Sequence, residues 1–145
     1  MTDINSLKSQ ITDRISAEVT TVKDVANYEK VGFTGFPAVS VSVSENENEF
    51  WSTAENMRSF VFDIDCFVQI SKKVDTASDT AMQEAEKRMG NVVSDIIDAF
   101  DDDIDFGNAA DFVNPAPSAW DYVELPAGYC RHAKITLRVE KIYVT

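Results

Sequence analysis

Residues 37–70 read PAVSVSVSENENEFWSTAENMRSFVFDIDCFVQI, two strand patterns in succession. After Pro37, Val39, Val41 and Val43 alternate with Ser40, Ser42 and Ser44, the period of a strand with one apolar and one polar face. From Ser59 to Ile70, the residues Phe60, Phe62, Ile64, Cys66, Val68 and Ile70 share one side, and Asp63, Asp65 and Gln69 share the other. Between the two runs, Glu45 to Glu49 is expected to form a polar turn or hairpin tip, with the aromatic pair Phe50 and Trp51 directly after it. Val61 and Phe67 break the polar side of the second run and hint at a partner that covers it.

Outward from this hairpin, the N-terminal segment places Ile4, Leu7, Ile11, Ile15 and Val19 on one face, which predicts a helix over residues 3–19 capped by Thr2 or Asp3. Residues 20–28 are rich in strand formers, and Gly32 and Gly35 mark a loop. A second helix is predicted over 78–100, with Thr76 or Ser78 as its cap and a broad stripe through Ala81, Met82, Ala85, Met89, Val92, Val93, Ile96, Ile97 and Phe100. Residues 101–117 are expected to be an irregular loop, since they hold an aspartate run, Gly107, Pro115 and Pro117. Strands over 120–125 and 133–144 follow, joined through a turn at Pro126, Ala127 and Gly128. The order α-β-β-β-α-β-β predicts an α+β fold: one mixed, mainly antiparallel sheet of about five strands, with both helices packed on one face. The other face is left to solvent or a partner.

The length, 145 residues, fits a single domain spanning 1–145, and 44% hydrophobic with 26% charged residues is ordinary globular composition. No apolar run in the first 40 residues reaches the length of a signal peptide or membrane span, so the chain is expected to remain in the cytosol of the cell that makes it, without membrane contact. The net charge of −12 argues against capture of nucleic acid.

No catalytic constellation emerges. The glycines form no phosphate-binding loop, and no serine sits in a nucleophile elbow. His132, the single histidine, lies at a strand start beside Arg131 and is expected to be structural. Asp63 and Asp65 alternate on one strand face and are expected to face solvent. Cys66 and Cys130 are expected to be reduced structural thiols, although Arg131 and His132 beside Cys130 would act to lower its pKa. Asp101, Asp103 and Asp105 have the alternate spacing of a calcium loop, but Phe106 and Phe112 stand where an EF-hand requires glycine and glutamate. The expectation is therefore a protein that is not an enzyme, with no cofactor and no resident metal.

Charge is unevenly distributed. Residues 95–111 hold seven aspartates and no base, whereas 131–141 hold four bases against Glu140. Such segments are candidates for complementary patches. The candidate interface residues are Glu47, Glu49, Phe50 and Trp51 at the hairpin tip, Asp101, Asp102, Asp103 and Asp105 in the acidic segment, and Arg131, Lys134 and Arg138 in the basic one.

The whole layout resembles the tail-terminator (tail-completion or neck) proteins of long-tailed bacteriophages. The resemblance covers residues 3 to 143 and rests on an amphipathic helix, the Pro-Ala-Val strand from Pro37, the Asn/Glu-rich tip, the Asn-x-Arg-x-Phe-x-Phe strand from Asn56, and a long helix ending in IIDAFDDD. It implies a virion structural subunit that forms a homohexameric ring, caps the tail tube, stops its polymerisation and presents a surface to the head-side connector. DNA would pass through the lumen without specific binding, and a negative lumen suits that passage. Another neck or head-closure component, or a monomeric binding or assembly module, fits the same residues.

Overall fold

The computed structural model describes residues 4–50, 55–101 and 112–144, with side chains described for 4–44, 58–101 and 113–141. Helix α1 (Ile4–Glu18) buries Leu7, Ile11 and Ile15 at helical spacing. Helix α2 (Asp79–Asp101) starts where the Ser78 hydroxyl accepts the Ala81 backbone N–H at 3.1 Å, and it buries a stripe from Ala85 to Phe100. The strands are β1 (Asp24–Ala26), β2 (Ala38–Phe50), β3 (Glu55–Ser71), β4 (Phe112–Leu125) and β5 (Gly128–Val144). They form one sheet in the order β1-β2-β3-β5-β4, in which β1 runs parallel to β2 and the other pairs are antiparallel. This is the α+β fold expected from the sequence, with five strands and two α-helices among the described residues.

Both helices lie on one face. Leu7, Ile11 and Ile15 of α1 and Met89, Val92, Ile96 and Phe100 of α2 join Val39, Val41, Phe60, Phe62, Ile64, Cys66, Val68, Ile135, Leu137 and Val139 in a single core. Every strand residue in that group comes from the apolar side of its alternation, so period-two patterning alone assigns the helix face.

The strands run further than the sequence patterns suggest. Glu45 to Phe50 is not the turn: it continues β2, paired with β3 from Glu45↔Val61 to Phe50↔Asn56 after a bulge beyond Val43. The reason is cooperative pairing, because Glu55–Ser59 is also held on its other side by Val144–Glu140 of β5, and ladder hydrogen bonds override weak strand propensity. Residues 112–117 likewise belong to β4 rather than to a loop. Pro115 and Pro117 are tolerated there because β4 is an edge strand, whose outward positions need no donor, and a bulge follows Pro117.

The face opposite the helices is only partly open. The segment 27–37 folds back across it, so Phe33 packs on Phe67 with ring centroids 5.2 Å apart, and Ala38, Cys130, Phe36, Val123 and Leu125 complete a small second core. Asp24 holds this segment in place: its carboxylate accepts the Thr34 N–H at 3.0 Å and the Lys30 ammonium at 3.1 Å. Burial acts to raise the Asp24 pKa, but those hydrogen bonds and the Lys30 charge outweigh it and leave it below its ordinary value. Phe67, the apolar intruder on the polar side, is thus covered by the chain itself, and Val61 is buried as well.

The β4–β5 turn leaves little room. Gly128 has φ +152°, and a Cβ there would lie 2.5 Å from the Ser71 carbonyl oxygen and 2.6 Å from the Gln69 amide nitrogen. Gln69 meanwhile donates to the Ala127 carbonyl at 2.8 Å, tying the turn to β3. Gly128→Ala is expected to destabilise the fold by roughly 1–3 kcal/mol in urea denaturation; an unchanged midpoint would show that the turn can relax without cost.

Candidate functional site

Period-two alternation sets the residues that face away from the helices: Ser40 on β2, Asp63, Asp65 and Phe67 on β3, and Cys130, His132, Lys134, Thr136 and Arg138 on β5. His132 lies directly opposite Phe67 on one side and Asp121 of β4 on the other. Its ring stacks on Phe67, centroids 4.9 Å apart at 28°. Its Nε2 lies 2.7 Å from Asp65 Oδ1, and its Nδ1 lies 2.6 Å from Asp121 Oδ1. The imidazole therefore bridges β3, β5 and β4.

Ionised carboxylates only accept hydrogen bonds. With both carboxylates ionised, two such contacts are made by an imidazolium, which carries a proton on each ring nitrogen. The electrostatics agree. Burial acts to lower the His132 pKa, but its hydrogen bonds to Asp65 and Asp121 and their charges outweigh it, so the net shift is upward from 6.5. The two carboxylates differ in setting: the side chain of Asp65 is 14% exposed and that of Asp121 is 61% exposed.

Polar pairs continue along the same face. Lys134 stands 3.8 Å from Asp63, Thr136 donates to Ser118 at 3.3 Å, and Arg138 donates to the buried Ser59 hydroxyl at 2.8 Å. Next to His132 a cavity of about 350 Å³ opens between the 29–31 segment and β4, with Ser40, Asp65, Phe67 and His132 in its lining. Both imidazole nitrogens are engaged by aspartates, so His132 presents no free lone pair for activating a nucleophile. It binds each carboxylate through a different nitrogen, and among the described residues no group of three or more His, Cys, Asp and Glu side chains is arranged to hold a metal ion.

The sequence-predicted interface residues do not all meet. The basic segment is split between faces. Arg131 points to the helix side, where it pairs with Glu86 at 2.8 Å and lies over the Tyr122 ring at 4.5 Å and the Trp120 ring at 5.5 Å. Lys134 and Arg138 point the other way, so the three bases make no common patch. Asp101 is the exposed last residue of α2, while Asp102, Asp103 and Asp105 lie outside the described residues. Glu47, Glu49 and Phe50 are placed as backbone in β2, paired with Ser59, Met57 and Asn56; their side chains and all of Trp51 lie outside the described residues.

Cys66 and Cys130 are free and buried on opposite faces of the sheet. The expectation that neighbouring bases lower the Cys130 pKa is reversed: burial pushes its thiol up to about 11, and Arg131 points to the other face. Asp65, expected to face solvent, is instead largely covered and paired. Asp121 was not singled out from the sequence. It could have been, because a two-residue turn at Pro126–Ala127 makes Leu125 and Gly128 partners, and counting outward along the hairpin brings Asp121 opposite His132.

No protein-family model matches the chain, and no curated protein matches its sequence. Among the described residues, no helix is long and apolar enough to cross a membrane.

Two outcomes follow from the bridge. A group whose folded pKa is raised contributes stability that is fully present below its unfolded pKa and is lost as pH rises through the folded value. The melting temperature should therefore fall as pH rises above 6.5 through the raised His132 pKa, and this fall should be absent in His132→Gln; an identical fall in the variant would contradict the assignment. In urea, Asp65→Ala should cost more stability than Asp121→Ala, because solvent screens the more exposed carboxylate. The reverse order would place the main contact on β4.

Proposed function

We propose that the chain is a non-enzymatic, ring-forming subunit of the tail-terminator type, which caps a phage tail tube, stops its growth and offers a docking surface to the head-side connector. The observation that carries this reading is the asymmetry of the two sheet edges. β1 covers only Ala38–Ser40 of β2, so from Val41 to Phe50 the outer edge of β2 has no strand beside it among the described residues. The opposite edge, β4, is guarded by Pro115 and Pro117. A ring needs head-to-tail contacts between two different surfaces of each subunit, and one open edge beside one blocked edge favours that over symmetric edge-to-edge pairing.

The helix-sheet order and the net charge of −12 are also in keeping with a ring whose lumen lets DNA slide without sticking. Partners would be further copies of the chain, the tube protein and the connector, and the location would be the virion tail or neck.

The test is the native mass of the purified chain by light scattering over a wide concentration range. A mass of about six chains, each of 16.1 kDa, is expected, together with capped ends when tail tubes are added and imaged. A chain that stays monomeric and leaves tube growth unchanged would overturn the reading in favour of a stand-alone binding module. Val43, 39% exposed at the open edge, supplies the variant. Val43→Lys should leave the fold intact and break the ring, because a charge at an edge strand blocks further pairing. A ring that survives the change would show that the β2 edge is not the assembly surface.

A further inference from the structure

One buried polar group on the face away from the helices is left unused. Ser40 is only 3% exposed and lines the cavity beside His132, yet its hydroxyl has no hydrogen-bond partner among the described residues. Buried hydroxyls are nearly always satisfied by protein, ordered water or a ligand, so the Ser40 hydroxyl has its hydrogen-bonding capacity to offer to whatever occupies the cavity. Asp65, opposite Ser40 in register, gives Oδ1 to His132, and its Oδ2 has no partner among the described residues. Asp65 thus offers an acceptor, and Ser40 a hydroxyl that both donates and accepts, from neighbouring strands in the cavity lining.

The surroundings limit what they can accept. Phe67, Val31, Val123 and Leu125 supply apolar wall, and the volume of about 350 Å³ is far more than one water needs. Glu29, Asp65 and Asp121 bring negative charge to the lining, which His132 offsets only in part. Lys30, also at the rim, is held by Asp24 at 3.1 Å and is not free to enter. Anions are therefore disfavoured by the lining charge, and a purely apolar group would leave both the Ser40 hydroxyl and Asp65 Oδ2 unsatisfied.

We propose that this cavity receives a basic side chain, arginine above all, presented by a partner protein. The aliphatic stem would lie against Val123, Leu125 and Phe67, and the guanidinium fork would donate to Asp65 Oδ2 and the Ser40 hydroxyl. The site does not depend on the ring reading, since it lies within one chain.

The test uses methyl-labelled protein titrated with Nα-acetyl-arginine amide, with methyl NMR signals of Val31, Val123 and Leu125 as the readout, in whatever assembly state the chain adopts. Saturable shifts confined to these methyls are expected, with binding weakened about tenfold or more in Ser40→Ala and Asp65→Asn. Ser40→Ala is the decisive variant: its hydroxyl has no partner, so its melting temperature should be unchanged or higher, whereas Asp65→Asn also loosens His132. Absent shifts, or shifts that both variants retain, overturn the proposal. Equal binding of Nα-acetyl-norleucine amide would overturn it in favour of an apolar segment, and equal binding of inorganic phosphate in favour of an anion.

Discussion

The structure depends on one constraint: five strands form a single sheet, and both helices cover the same face of it. The covered face is a conventional apolar core. Among the described residues the other face has no second layer of helices, so its side chains there are solvated, paired with a neighbour or shielded by a loop. Shielding and pairing do most of the work. Segment 27–37, anchored by Asp24, shields Phe67 at one end. His132 satisfies Asp65 and Asp121 beside it, and further along Arg138 satisfies the buried Ser59.

A face built in this way differs from an ordinary solvated surface. The imidazolium joins three adjacent strands, β3, β5 and β4, so the geometry of the cavity is tied to a protonation state. Asp121 stands on the edge strand and is 61% exposed, so solvent screens its side of the bridge more than the Asp65 side. The edges are treated differently too: prolines mark β4, whereas among the described residues no strand lies beside β2 beyond Ser40 on its outer side. Assembly through an open edge and recognition on the face opposite the helices are compatible, since one uses backbone groups and the other side chains.

Much of the fold was legible because helix and strand periods are strong signals. Leu7, Ile11 and Ile15, and the alternation from Phe60 to Val68, assign both helix packing and the apolar face. What the sequence concealed was decided by pairing rather than by local preference. Glu45 to Phe50 looks like a turn until its partner strand is known, and Pro115 and Pro117 look like breakers until β4 is placed at an edge. The site was legible only in pieces. His132 and Asp65 are separated by 67 residues, and no local feature predicts the β3–β5 register that joins them. Asp121 was within reach of a count from the Pro126–Ala127 turn. The charge runs were misleading as patches, because Arg131 and Lys134 occupy opposite faces of the same strand.

The claim at the centre of this account is that His132 is a charged bridge between Asp65 and Asp121. The most direct measurement is the pair of imidazole ¹⁵N chemical shifts of His132 at neutral pH, read from long-range correlations to the ring protons. In the charged bridge both Nδ1 and Nε2 resonate in the protonated range, with no unprotonated nitrogen. A neutral tautomer, with one ring nitrogen clearly deprotonated, would contradict it and would mean that His132 donates to only one of the two aspartates.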